Sequence, residues 1–248
     1  MKLSQDSVKN LKTLLQAVSI AKIDKLVIEP TRIRGIDDSH TVLILSNNKI
    51  PDFGGASVGL NRLAALSNRI NLFDSNEDFN VEAVEAPSRN NEDGTNIATL
   101  KISSKGFKFE HGCARIETVK APRNINDRFV WKVKIDPELI KVVIKAADTM
   151  ESEQIAICSK ASGEVSLEVV DAATKDTFMT KIAESATWLI EDEEPQIQSF
   201  VHYVSVKALM PLLKASSTTG ELILLIGQDG MVQINVHDHA FILLPREE

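Results

Sequence analysis

His237, Asp238 and His239 stand side by side near the end of the sequence, three adjacent side chains that could ligate a metal or carry a proton. A zinc site needs three or four ligands converging on one point, and adjacent residues point in diverging directions. No further ligand follows at a useful spacing, so a turn between two strands accounts for the three residues. Gly54 and Gly55 follow Asp52 and Phe53, but no Lys comes after them and no strand-to-helix phosphate loop is present. No Ser lies in a G-x-S-x-G elbow. The acidic run Glu191–Glu194, ahead of Pro195, reads as a solvated loop. Cys113 and Cys158 have no spaced partners, which excludes a disulfide framework or a cysteine-based zinc knuckle and fits a reducing, cytoplasmic setting. No catalytic constellation, metal or cofactor is expected.

What the sequence does carry is a pattern of cations. Ser4 caps a helix with Asp6 in its first turn; Val8, Leu11, Leu15 and Val18 form one apolar stripe, and Lys9, Lys12 and Gln16 lie on another face. Gly59–Ile70 reads as a second helix, with Leu60, Leu63 and Leu66 apolar and Arg62 and Arg69 turned away from them. Asp136 and Glu138 open a third, with Pro137 at its first position, Leu139, Ile140, Val143 and Ala147 inward, and Lys141 and Lys145 outward. The fourth runs from about Ser205 to Ala215, with Val206, Leu209, Leu212 and Leu213 apolar, Lys207 and Lys214 to one side, and Pro211 as an expected weak point or kink. These windows hold eight basic residues against three acids, a balance of +5. The chain has 28 basic and 35 acidic residues, so 20 and 32 remain elsewhere, a balance of −12. A basic island on an acidic body suits a polyanion held on one side only. Any single amphipathic helix with outward lysines needs no more explanation than solvation; four with the same bias do.

The elements that position these helices are mostly strands. Alternating or β-branched runs occupy Lys25–Ile28, Arg32–Ile36, Thr41–Leu45, Phe79–Val84, Ile97–Ile102 and Phe107–Ile116. They resume at Arg128–Ile135, Gln154–Cys158, Val165–Val170, Thr177–Ile182, Glu221–Ile226, Val232–Val236 and Ala240–Leu244. The polar stretch Glu117–Asp127 reads as a connector between domains 1–116 and 128–248, and Ala86–Asn96 as a hairpin loop. Each half then runs strand, helix, strands, helix, strands, provided the opening strand of the first half is very short. Short helices on one face of antiparallel strands make an α+β architecture. A chain of 248 residues, 43% hydrophobic and 25% charged, supports one or two such domains. Its apolar runs, such as Leu222–Ile226 and Ala240–Leu244, are far shorter than the roughly 18 residues of a membrane span. No charged-then-apolar leader opens it, so membrane and secreted readings are not expected. With nine Phe, two Trp and one Tyr, aromatic platforms for splayed bases are not expected either.

Three short stretches carry a resemblance: Met1–Ser4 ahead of a basic amphipathic helix; Ile36, Asp37, Asp38, Ser39 and His40 ahead of a strand; and the ending Phe241–Glu248. With the order of elements, they resemble DNA sliding clamps of the proliferating cell nuclear antigen family, and the compact size and Met-Lys-Leu-Ser start are similar to the processivity clamps of T4-type phages. The resemblance implies a DNA-clamp fold of two similar domains and a homotrimeric ring whose helices line a hole around duplex DNA. It also implies a DNA polymerase and a clamp-loader ATPase as partners, in the host cytoplasm if the chain is phage-encoded. The DNA-facing role falls on Lys9, Lys12, Arg62, Arg69, Lys141, Lys145, Lys207 and Lys214. A pocket for partner peptides falls on Ile36, His40, Leu43, Val119, Ile125, Ile242, Leu244 and Pro245. The alternative is a non-catalytic β-rich virion component with ordinary solvated helices; an enzyme built on His237–His239 ranks third.

Overall fold

The computed structural model describes residues 1–72, 79–87, 95–104, 106–122, 124–125, 128–160, 162–171, 173–190, 200–218 and 222–246. The chain forms two units, Met1–Ser39 with Leu43–Arg123 and His237–His239, and His40–Val42 with Asn124–Val236 and Ala240–Glu248.

In unit 1, α1 (Gln5–Ile20) is started by Ser4, whose hydroxyl accepts from the Ser7 N–H, and it buries Val8, Leu11, Leu14, Leu15 and Val18. Strands β1 (Lys25–Glu29), β2 (Arg32–Ile36), β3 (Val42–Ser46) and β4 (Val58–Asn61) form an antiparallel sheet in the order β3-β2-β1-β4. After α2 (Leu63–Ile70), β5 (Asn80–Pro87), β6 (Thr95–Ser104) and β7 (Phe107–Gly112) form a second sheet. The expected short opening strand is present as a bridge from Lys2 to Glu82, with the Leu3 N–H donating to Val81 O at 2.8 Å. α1 packs beside α2 and reaches β5.

Unit 2 repeats this plan. β8 (Phe129–Ile135) takes the place of Met1–Leu3, and α3 (Pro137–Thr149) is capped by the Asp136 carboxylate, which accepts from the Glu138 N–H. β9 (Gln154–Ser159), β10 (Val165–Val170), β11 (Thr177–Ala183), the two-residue β12 (Thr187–Trp188) and β13 (Phe200–Ser205) follow, then α4 (Val206–Ser217), β14 (Leu222–Gly227), β15 (Val232–Val236) and β16 (His239–Leu243). The sheet orders are β11-β10-β9-β13, matching β3-β2-β1-β4, and β12-β8-β14-β15-β16, in which β14-β15-β16 matches β5-β6-β7. α3 packs beside α4.

Several sequence expectations are corrected. Gly59–Asn61 is strand, not helix, because Gly59 and Leu60 pair with β1, and α2 begins only at Leu63, after Arg62 turns the chain with φ 52°. The run Phe107–Ile116 is a strand only to Gly112, since Ala114 leaves β6 to bridge Gly59 and Ile116–Thr118 forms a 3-10 turn. β12 and β13 were not expected at all: Ser205 ends β13 and caps α4 at once, leaving no turn to mark the change. α4 extends through Pro211 to Ser217 as one helix, and α3 takes in Asp148. That fourth acid lowers the helical excess from five to four. The run Glu191–Glu194 and most of the Ala86–Asn96 loop lie outside the described residues.

Candidate nucleic-acid interface

The cations expected on the helices are at the surface in both units. On α1, Lys9 is exposed and Lys12 half-buried; Lys141 and Lys145 on α3 and Lys207 and Lys214 on α4 are exposed. The apolar stripes beneath them fix this outcome, because Leu11, Val143, Leu209 and Leu213 are fully buried. Lys141 pairs with Glu138 one turn earlier at 2.7 Å, an exposed ion pair worth little in water. Among the described residues, Lys9, Lys12, Lys145, Lys207 and Lys214 have no ion-pair partner. Long cations on short apolar-backed helices can meet phosphates without reading bases.

Arg62 and Arg69 are placed differently. Arg62 caps α2 and donates through a terminal guanidinium nitrogen to Gly112 O at 3.3 Å, and the Arg69 guanidinium lies 6.0 Å from the Phe109 ring centroid. Both arginines therefore lean on β7.

The residues expected to outline a partner pocket divide by burial. Leu43, Val119 and Ile242 are core. Ile36, Ile125 and Leu244 are half-buried, and His40 and Pro245 are exposed. In unit 1, the end of the connector is held by Arg34, which is buried, donates to Ala121 O at 2.9 Å and pairs with Glu29 at 3.2 Å. Burial raises the Glu29 carboxyl pKa, but Arg32 and Arg34 outweigh it and hold the group below its ordinary value. In unit 2, the Leu244 N–H donates to Thr41 O and the Arg246 N–H to Tyr203 O, at 2.9 and 2.8 Å, which places the tail beside His40–Val42 and β13.

His237 and Asp238 form a two-residue turn between β15 and β16 with φ 50° and 69°, the twist a tight hairpin requires. Asp238 pairs with Lys49, which holds its carboxyl below the usual range. His239 is buried against Ser46 Oγ, 3.3 Å from Nδ1, and burial pushes its pKa down to about 4. Burial pushes the Cys113 thiol up to about 12, so it is not poised as a nucleophile. Among the described residues, no three His, Cys, Asp or Glu side chains are placed to share a metal, and no helix is long and apolar enough to cross a membrane.

From the sequence, the runs Phe107–Ile116 and Thr177–Ile182 are expected to be exposed edges unless paired head to tail between copies. β7 and β11 are each the last strand of a sheet among the described residues. Their exposed apolar side chains are large: Phe107 is 69% exposed and Met179 59%.

No family model and no curated protein matches the chain. Solved structures do. The chain is similar to A. fulgidus PCNA, solved with the C-terminal region of FEN-1 bound, at TM-score 0.67 and 16% identity over 100% of this chain and 98% of that one. It is similar to the proliferating cellular nuclear antigen of Entamoeba histolytica at TM-score 0.66 and 12% identity, over 99% and 98%. PCNA from Thermococcus kodakaraensis gives TM-score 0.66 and 15% identity, over 99% of each chain. Strand order, helix pairing and these full-length matches agree that the chain has the sliding-clamp fold of the PCNA proteins.

Proposed function

We propose that this chain is the subunit of a DNA sliding clamp, a non-catalytic ring that encircles duplex DNA without sequence preference and tethers a polymerase and other replication proteins to it. The observation that carries the reading is the clamp fold over the whole chain, with outward lysines on the paired helices of both units. The ring is a homotrimer closed head to tail by β7 of one copy against β11 of the next, since an unpaired edge with large exposed apolar residues is a liability unless another strand covers it. The virion reading leaves the duplicated edges without a use.

Partner peptides dock by apolar anchors, the role that the resemblance gives to Ile36, His40, Leu43, Val119, Ile125, Ile242, Leu244 and Pro245. A clamp-loader ATPase opens the ring, and the setting is the cytoplasm, that of the host if the chain is phage-encoded.

The test is sedimentation combined with retention on circular DNA. A closed clamp sediments as an oligomer, stays on nicked circles, and runs off once they are linearised. Changing Lys141 and Lys145 to Glu weakens retention, and removing one lysine–phosphate interaction lowers the salt slope by about 0.9. Leu244→Asp abolishes capture of a polymerase tail and leaves the oligomer mass unchanged. A chain that is strictly monomeric at micromolar concentration and held equally on circles and linear DNA would overturn the reading.

A further inference from the structure

His111 lies in β7, is fully buried, and neither ring nitrogen makes a well-formed hydrogen bond. A neutral imidazole tolerates such a place at some expense, whereas an imidazolium there has no solvent and only the Asn61 main chain near enough to accept from it. The groups facing it are Arg62 at the start of α2, Arg69 on α2 and Asp24 ahead of β1. Burial first and then Arg62 and Arg69 lower its pKa; the Asn61 main chain and Asp24 pull the other way and are outweighed.

The internal repeat says what the fold itself needs at this position. Counting three residues back from the helix caps Ser4 and Asp136 gives Met1 and Val133. Met1 lies beside Ala83, whose N–H donates to the Met1 carbonyl at 2.7 Å, and Val133 pairs with Leu224. Ala83 pairs with Leu100 and Leu224 with Ile234. Leu100 pairs with His111, and across the two-residue turn Ile234 stands opposite Phe241. His111 and Phe241 are therefore equivalent, and both are fully buried. An apolar ring meets the packing requirement at this position in unit 2, and in unit 1 the same position holds a titratable ring on the free edge strand β7.

We propose that His111 makes ring closure depend on pH: the β7–β11 joint between copies holds while His111 is neutral and opens when it takes a proton. This rests on the ring assigned above and adds its regulation. In an open joint β6 is the one strand paired with β7 among the described residues, so its outer edge can fray and let the imidazole reach water. In a closed joint β7 lies between β6 and β11 of the next copy. The row of β7 that holds Phe109 and His111 then continues into Phe178, Thr180 and Ile182, which hold the strand in place over a ring that is already fully buried. Protons thus bind the open joint better than the closed one, and linkage weakens association as the pH falls. With β7 packed in place the ring's pKa lies below the ordinary imidazole value near 6.5, so the joint is at full strength above that value and weakens progressively below it.

The experiment measures the dissociation constant of the purified full-length oligomer by sedimentation at about pH 8 and about pH 5.5, a window that brackets imidazole titration. Wild type weakens by up to about tenfold per joint, because an imidazole with its ordinary pKa near 6.5 is protonated about ten to one at pH 5.5. His111→Phe, the residue of the equivalent position, stays associated at both pH values, and His111→Leu does the same with a smaller side chain. His239→Phe, which replaces a different buried imidazole, keeps the wild-type response. A wild-type ring indifferent to pH, or variants that dissociate in acid as wild type does, would overturn the proposal while leaving the ring reading intact. Absence of an oligomer at about pH 8 would overturn the ring reading, and this proposal with it.

Discussion

Unit 1 and unit 2 build the same pattern of two sheets and two paired helices from sequences that share little, and they differ most at their margins. Unit 1 opens with a single bridge at Lys2 where unit 2 has the seven-residue β8. Unit 2 adds β12, whose Trp188 meets Trp131 edge to face with centroids 5.0 Å apart. Unit 1 lets the chain cross β4 through Gly59, where a Cβ would lie 2.6 Å from Ala114 O; unit 2 crosses β13 at Tyr203 through a bridge to Arg246. The comparison shows which constraints are strict: register and the inward apolar row recur, while side-chain identity and the first strand's length vary.

The strongest way to break the likeness is to empty one helix seat. Leu11→Ala removes a fully buried side chain from α1 and is expected to cost about 2–5 kcal/mol. Val143→Ala at the matching stripe of α3 removes fewer carbons and is expected to cost about half as much. Denaturant unfolding checks both.

A middle-sized effect comes from titration. His239 holds in β16 the position that Phe109 holds in β7, and burial keeps its ring uncharged. The folded His239 has a pKa of about 4, below its ordinary 6.5. Above 6.5 neither the folded nor the unfolded state is protonated there and the group adds no slope. As the pH falls from 6.5 toward 4, the unfolded chain takes a proton that the folded chain refuses, and stability falls until the folded group also titrates. His239→Phe, which makes the two hairpins alike at this position, is expected to shallow this acid slope without flattening it, because His111 contributes in the same direction. Unfolding free energies across the acid range measure it.

The smallest effect tests the caps. Ser4→Ala and Asp136→Ala each remove a side chain that accepts from the first turn, and each is expected to cost about 0.5–2 kcal/mol. Thermal melts of the two variants should shift by similar amounts if the helices carry equal weight.

How much of this was legible in the sequence follows the range of the forces involved. α1 and α3 could be read because cap, first-turn acid and apolar stripe are all local. The start of α2 could not, because Leu60, Leu63 and Leu66 keep helical spacing across a strand end, and the αL turn at Arg62 leaves no local mark. The outward lysines followed from helix geometry. The attachment of Arg62 and Arg69 to β7 did not, since it joins residues about 40 to 50 positions apart, and His111 looks in sequence like any histidine in an alternating strand.

The two free edges also bear on how the protein is made. Six or seven residues of extended chain leave roughly 20 Å of unpaired backbone on each edge, at about 3.3 Å per residue. A newly synthesised copy that has not met its neighbours carries both, and any other extended chain nearby can occupy them. Lys108, exposed on β7, slows such capture by keeping a charge on that edge. Yield in a cell is then a race between assembly, which quickens with concentration, and off-target strand pairing, which quickens with it too. Slow, cool expression followed by concentration of already folded chains should favour the first.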